Sequence, residues 1–220
     1  MATASRTVAV LVLAATTLMA SCTRYVDDAR AVAGAELSTA AEPGGSDSSL
    51  CEAVDVPLTT IPARNDGEPV LKIPKPPGWE RSTMMDSPLI RFAMRNEALT
   101  ADAFTANVMV TLESTSGTED VDLIFATMQD ALESGLGVTD LRVSERSLCG
   151  LPARTFRYMM PVMGNIDPHP AVALGAVMHA EGMTFVISVT AQAMDAEDPT
   201  YQRDSETILD GFQMLPPSPN

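Results

Sequence analysis

Two histidines, two lysines, three cysteines and one tryptophan are all that this chain of 220 residues holds of four residue types on which much protein chemistry depends. With His169 and His179 alone, no histidine pair sits at metal-ligand spacing. His-Glu-x-x-His, Gly-x-Ser-x-Gly, Gly-x-x-x-x-Gly-Lys-Ser/Thr and Gly-x-Gly-x-x-Gly motifs are all missing. Asp167, His169 and His179 could be written down as a metal set, but a histidine in the turn-rich Asp167-Pro168-His169-Pro170 and another on a strand are ordinarily structural. A hydrolytic triad around either has nothing to fix its geometry. The acidic stretch Asp195, Glu197, Asp198 lacks the alternating ligands and central glycine of a Ca²⁺ loop, and reads as the solvated start of a helix. No catalytic residue, metal or cofactor is therefore expected. Basic residues are also scarce: 14 Lys+Arg face 29 Asp+Glu, and the formal charge of −15 repels nucleic acid. One tryptophan, Trp79, provides no stacking platform for sugars.

What is present is sharpest at the N-terminus. Arg6 precedes the apolar run Thr7 to Ala20, too short to span a bilayer as a mature helix and suited to an export signal. The run ends in Leu18-Met19-Ala20-Ser21-Cys22, which resembles the lipobox of bacterial lipoproteins, with Met19 where leucine is usual. That resemblance implies that residues 1–21 are removed and that Cys22 carries a diacylglycerol and palmitate-type acyl chains, anchoring the protein to the outer face of the cytoplasmic membrane. An ordinary secretory signal with an incidental cysteine is the plainer alternative. Residues 22–50 are Ala, Ser, Gly, Thr and acid with no apolar period, as in Glu42-Pro43-Gly44-Gly45, and read as a flexible tether with a reach of about 30 Å. Residues 51–220 make one domain. Its cysteines, Cys51 and Cys149, have a single intramolecular pairing in an oxidising compartment, so a disulfide is the default and two buried thiols the alternative.

Within that domain, Ile90, Phe92 and Met94 alternate with polar neighbours, as do Phe104 to Leu112, Phe156 to Val162 and Met183 to Val189, each at the period of a half-buried strand. Glu181-Gly182 joins Val172–His179 to the last of these as a hairpin. Val70–Ile73 and Leu141–Leu148 are weaker strands. Val121, Ile124, Phe125, Met128 and Leu132 form a helical stripe, with Thr118 as the N-cap and Gly135 after the end. Asp198-Pro199 opens a second helix lined by Tyr201, Ile208, Leu209 and Phe212. This order gives an α+β fold in which an antiparallel sheet is covered on one face by two helices.

Ile73-Pro74-Lys75-Pro76-Pro77-Gly78-Trp79, then Gly150-Leu151-Pro152-Ala153, then Ile208-Leu209-Asp210-Gly211-Phe212, behind a lipobox and a polar linker, resemble the LpqN/LpqT-type lipoproteins of mycobacteria and related actinobacteria. The resemblance covers roughly residues 70–215. It departs from the family at Cys51 to Pro69, a cysteine-bearing stretch that replaces a longer segment. It implies a PsbP-like α/β sandwich, no enzymatic activity, and an envelope transporter, a lipid or a host protein as partner.

Two further features bear on binding. Methionine is abundant, with Met84-Met85, Met159-Met160 and Met163 close together, and such thioethers either fill the core or line a groove for acyl chains or a partner helix. Arg91, Arg95 and Arg157 form a basic spot for a carboxylate or phosphate if their strands share a face, and are otherwise paired with local acids. The expected function is a lipid-anchored, non-catalytic binding or accessory module in lipid carriage or beside a transporter. The alternative is an envelope hydrolase.

Overall fold

The computed structural model describes residues 48–218, so the export segment, Cys22 and nearly all of the 22–50 stretch lie outside the described residues. Past a short 3₁₀ turn at Ser48–Leu50, the chain forms β1 (Leu58–Ile61) and β2 (Val70–Pro74), then β3 (Glu80–Arg81), β4 (Ile90–Ala101), β5 (Phe104–Ser116) and α1 (Val121–Asp130). After α1 come β6 (Thr139–Leu148), β7 (Leu151–Met160), β8 (His169–Ala180), β9 (Met183–Gln192), α2 (Pro199–Asp210) and β10 (Gln213–Leu215). Seven strands pair antiparallel in the order β3-β4-β5-β9-β8-β7-β6, and a second, three-stranded antiparallel sheet has the order β1-β2-β10. The weaker candidates at 70–73 and 141–148 are real strands; β1, β3 and β10 are too short to show a period.

Three hairpins of the large sheet turn on two residues each, Asp102-Ala103, Cys149-Gly150 and Glu181-Gly182, and all six have positive φ. That is the type I′ geometry, whose twist matches the right-handed twist of the paired strands. Alternation then sorts each strand onto two faces. Val108, Val110, Leu112, Leu174, Met178, Phe185, Ile187 and Val189 point to one side, where Tyr201, Ile208, Leu209 and Phe212 of α2 and its exit cover them together with the small sheet. Phe156, Tyr158, Met160, Ala173 and Val177 point to the other, against Ile124 and Phe125 of α1. The two helices thus lie on opposite faces and do not share one. A single short helix cannot cover a seven-stranded face, and this leaves part of the α1 side open.

Local chemistry departs from the sequence pattern at α1. Asp120, not Thr118, is the N-cap, its carboxylate accepting from the Leu123 amide at 2.9 Å. The stripe does not run on as α-helix to Leu132, because the last turn, Ala131–Leu136, is a π-turn closed by Gly137 at φ 70°, two residues beyond Gly135. At α2 the sequence reading holds: Asp198 caps Thr200 and Tyr201 at 2.7 and 3.0 Å, with Pro199 at the first helical position. Trp79 is fully buried behind the Pro-Pro-Gly turn, and its indole donates to Asp204 Oδ2 at 2.9 Å, which ties the turn to α2. Gly78 has φ 86°, and a Cβ there would come within 3.0 Å of the Asn96 side chain.

Candidate functional site

The sequence-derived candidates are scattered. Cys51 and Cys149 are joined as a disulfide between the chain ahead of β1 and the β6–β7 turn. The three arginines are not a cluster: β4, which carries Arg91 and Arg95, lies four strand steps from β7 and Arg157, about 19 Å at the usual strand spacing. Arg91 is buried and makes a two-pronged ion pair with Glu68, Nη1 to Oε1 at 2.9 Å, while Arg95 pairs with Glu97 at 2.7 Å. Of these three, Arg157 alone keeps an exposed guanidinium with no acid partner among the described residues. For Arg91 and Arg95 the pairing with local acids is what the structure contains.

The histidines are equally separated. His169 is the first residue of β8 and not part of a loop, and His179 lies near the other end of that strand, about 33 Å away for an extended chain. They cannot share a metal, and no group of three His, Cys, Asp or Glu side chains among the described residues is placed to hold one. His169 is buried in a polar chain: Nδ1 lies 2.9 Å from the Asp167 carbonyl, Nε2 lies 3.0 Å from Gln192 Oε1, and Gln192 Nε2 donates to Asn107 Oδ1 at 3.0 Å. The ring also packs on Phe104 at 4.5 Å between centroids. Its hydrogen-bonding capacity is thereby used to tie β5, β8 and β9 together.

The hollow that the fold does build lies where α1 leaves the sheet uncovered. A groove of about 380 Å³ lies between α1 and the β5–β9 strands, its lining divided between apolar Leu123, Ile124, Met128, Ala131 and Val186 and polar Glu113, Ser114, Thr115, Glu119, Thr127 and Thr184. A Cβ on Gly175 would sit 2.7 Å from Met128 Cε, so this glycine lets the thioether settle onto the sheet. Thr184 fixes the end of the groove, donating to the Gly117 carbonyl at 2.7 Å and accepting from the Glu119 amide at 3.1 Å. On the same face, farther along β5, a second hollow of about 230 Å³ is lined by Met84, Met85, Phe104 and Met109. Met84 is 84% and Met85 52% exposed, whereas Met94, Met178 and Met214 are core residues, so the methionines divide between the two roles. Sequence reasoning missed this groove. The available signal was Leu123, an apolar residue off the helical stripe, which stays 64% exposed.

An antiparallel α+β fold of this type is already seen in a solved structure. The fold resembles that of LpqN. LpqN of Mycobacterium tuberculosis, described as involved in cell envelope biogenesis, superposes with a TM-score of 0.57 at 17% identity, covering 74% of this chain and 93% of that one. Mog1, the Ran-binding protein of Saccharomyces cerevisiae, gives a TM-score of 0.41 at 16% identity over 71% of this chain and 86% of its own. No protein-family model matches the sequence, and no curated protein matches it. Among the described residues, no helix is long and apolar enough to cross a membrane.

Proposed function

We propose that the protein is a non-catalytic accessory module of a cell envelope, held there by acylated Cys22, whose open α1 groove takes the apolar chain of a lipid-class ligand. The carrying observation is the groove itself: about 380 Å³, with apolar Leu123, Ile124, Met128, Ala131 and Val186 in its lining, within the size range of small-molecule sites. The fold likeness to LpqN supports the envelope setting, and membership of the LpqN/LpqT-type lipoproteins and a transporter partner belong to the same reading. Adaptable Met128 suits a flexible chain better than a rigid ligand.

Native mass spectrometry of the full-length protein from expressing cells tests the reading. The wild type is expected to carry long-chain species, and Leu123→Asp, which places a charge in an exposed groove wall, to lose them at unchanged melting temperature. Equal occupancy in the two proteins would remove the groove from the function. Ester or peptide turnover abolished by a substitution in the groove would replace this reading with an envelope hydrolase.

A further inference from the structure

Arg142 and Arg157 face each other directly across the β6–β7 ladder. The next pairs on the same face are Ser144 with Thr155 and Arg146 with Ala153, and this is the face on which α2 packs. Both arginines are exposed. They are the only described arginines with neither an ion pair nor a side-chain hydrogen bond: Arg81, Arg91, Arg95, Arg146, Arg154 and Arg203 hold carboxylates, and Arg64 holds the carbonyls of Ser87 and Pro88. Asp140, two residues before Arg142 on β6, ion-pairs with neither.

Like charges directly opposite on a ladder are destabilising, and the same hairpin avoids the problem elsewhere. On its other face Glu145 lies opposite Arg154, and on this face Arg146 is closed by Asp210 at 2.9 Å. In a chain with twice as many acids as bases, partners for two guanidiniums are abundant, yet among the described residues this pair has none. We propose that Arg142 and Arg157 form a binding site for a phosphate-class oxyanion, which supplies the missing negative charge between them.

The chemistry favours a tetrahedral anion over a carboxylate. Directly opposed residues hold their Cβ atoms about 5 Å apart, and each guanidinium offers a planar fork of donors. A carboxylate has two oxygens and satisfies one fork, whereas a phosphate presents oxygens to both. Ser144 and Thr155 place hydroxyls beside the pair, and the Arg157 charge acts on the Tyr201 hydroxyl, which burial holds in its protonated, donating form. A free phosphate and the phosphate of a lipid headgroup share this chemistry.

The test uses the full-length protein in non-ionic detergent micelles at low ionic strength, with ³¹P line broadening as readout and two probes, inorganic phosphate and dihexanoyl phosphatidic acid. Saturable broadening is expected, weakened about tenfold by Arg142→Gln or Arg157→Gln, as for a lost hydrogen bond to a charged group. Arg203→Gln, a charge control whose guanidinium is already held by Asp204, is expected to leave it unchanged. Saturation by both probes assigns the site to any phosphate, and saturation by the lipid alone assigns it to a headgroup. No saturable broadening, or equal weakening by Arg203→Gln, would overturn the site.

Discussion

Arg91 departs from the in-and-out alternation of β4 because Glu68 accepts it beneath the sheet. Burial alone would raise the Glu68 carboxyl, but hydrogen bonds from the Arg91 side chain and the Arg64 amide, with the charges of both, carry it below its ordinary value of 4.5. A carboxyl depressed in the folded state contributes stability that is complete above that ordinary value and is lost as pH falls through the folded one. Glu68→Gln leaves a nearly buried guanidinium unpaired. It should cost about 3 kcal/mol at neutral pH and flatten the acid limb of the stability curve, as denaturant titrations between pH 3 and 7 will show; an unchanged acid limb would refute the assignment. At the alkaline end the sign reverses. Burial first, and the neighbouring Tyr158, push the Tyr201 hydroxyl well above its ordinary 10.0 despite the opposing charge of Arg157, so its contribution is lost only as pH rises beyond 10. None of this was readable from the chain, because Glu68 and Arg91 are 23 residues apart and no periodicity links them.

Elements were legible where one period ran long enough. β5, β9 and the stripe of α1 follow their alternation or helical spacing, β8, buried on both faces along 173–178, was legible only through its hairpin, and β1 and β10 hold four and three residues and borrow their order from β2. The cap of α1 was misread because Thr118 and Asp120 both suit the position by type, and the choice rests on which side chain meets the Leu123 amide. Asp120→Ala should therefore lower stability by about 1 kcal/mol and Thr118→Ala by much less, and thermal melts of the two variants distinguish them. The β4–β5 turn carries Ala103 at φ 60°. Left-handed backbone costs an alanine roughly 1 kcal/mol or more, partly offset by the greater chain entropy of unfolded glycine. Ala103→Gly should raise stability by about 0.5 kcal/mol, while Ala101→Gly in the strand should lower it. A loss on Ala103→Gly would show that the turn is not strained.

At the scale of the whole molecule, the antiparallel α+β architecture could be read from the order of elements, but the groove could not. It exists because α1 covers only part of its face, and coverage depends on where a helix lands. The disulfide pairing followed from having two cysteines in the domain. Cys51→Ser should lower stability by about 3 kcal/mol, with a melting temperature like that of the reduced wild type; a melt indifferent to both changes would deny the bridge a stabilising role. The bridge also has a mechanical consequence. It spans 98 residues of sequence between the start of the domain and the β6–β7 turn. A pull applied ahead of Cys51 therefore passes through sulfur to Cys149 and bypasses β1 to β6. Those strands, which would unspool by more than about 300 Å if extended, are outside the path of the load, and only the segment from Cys149 to the C-terminus is left to bear it.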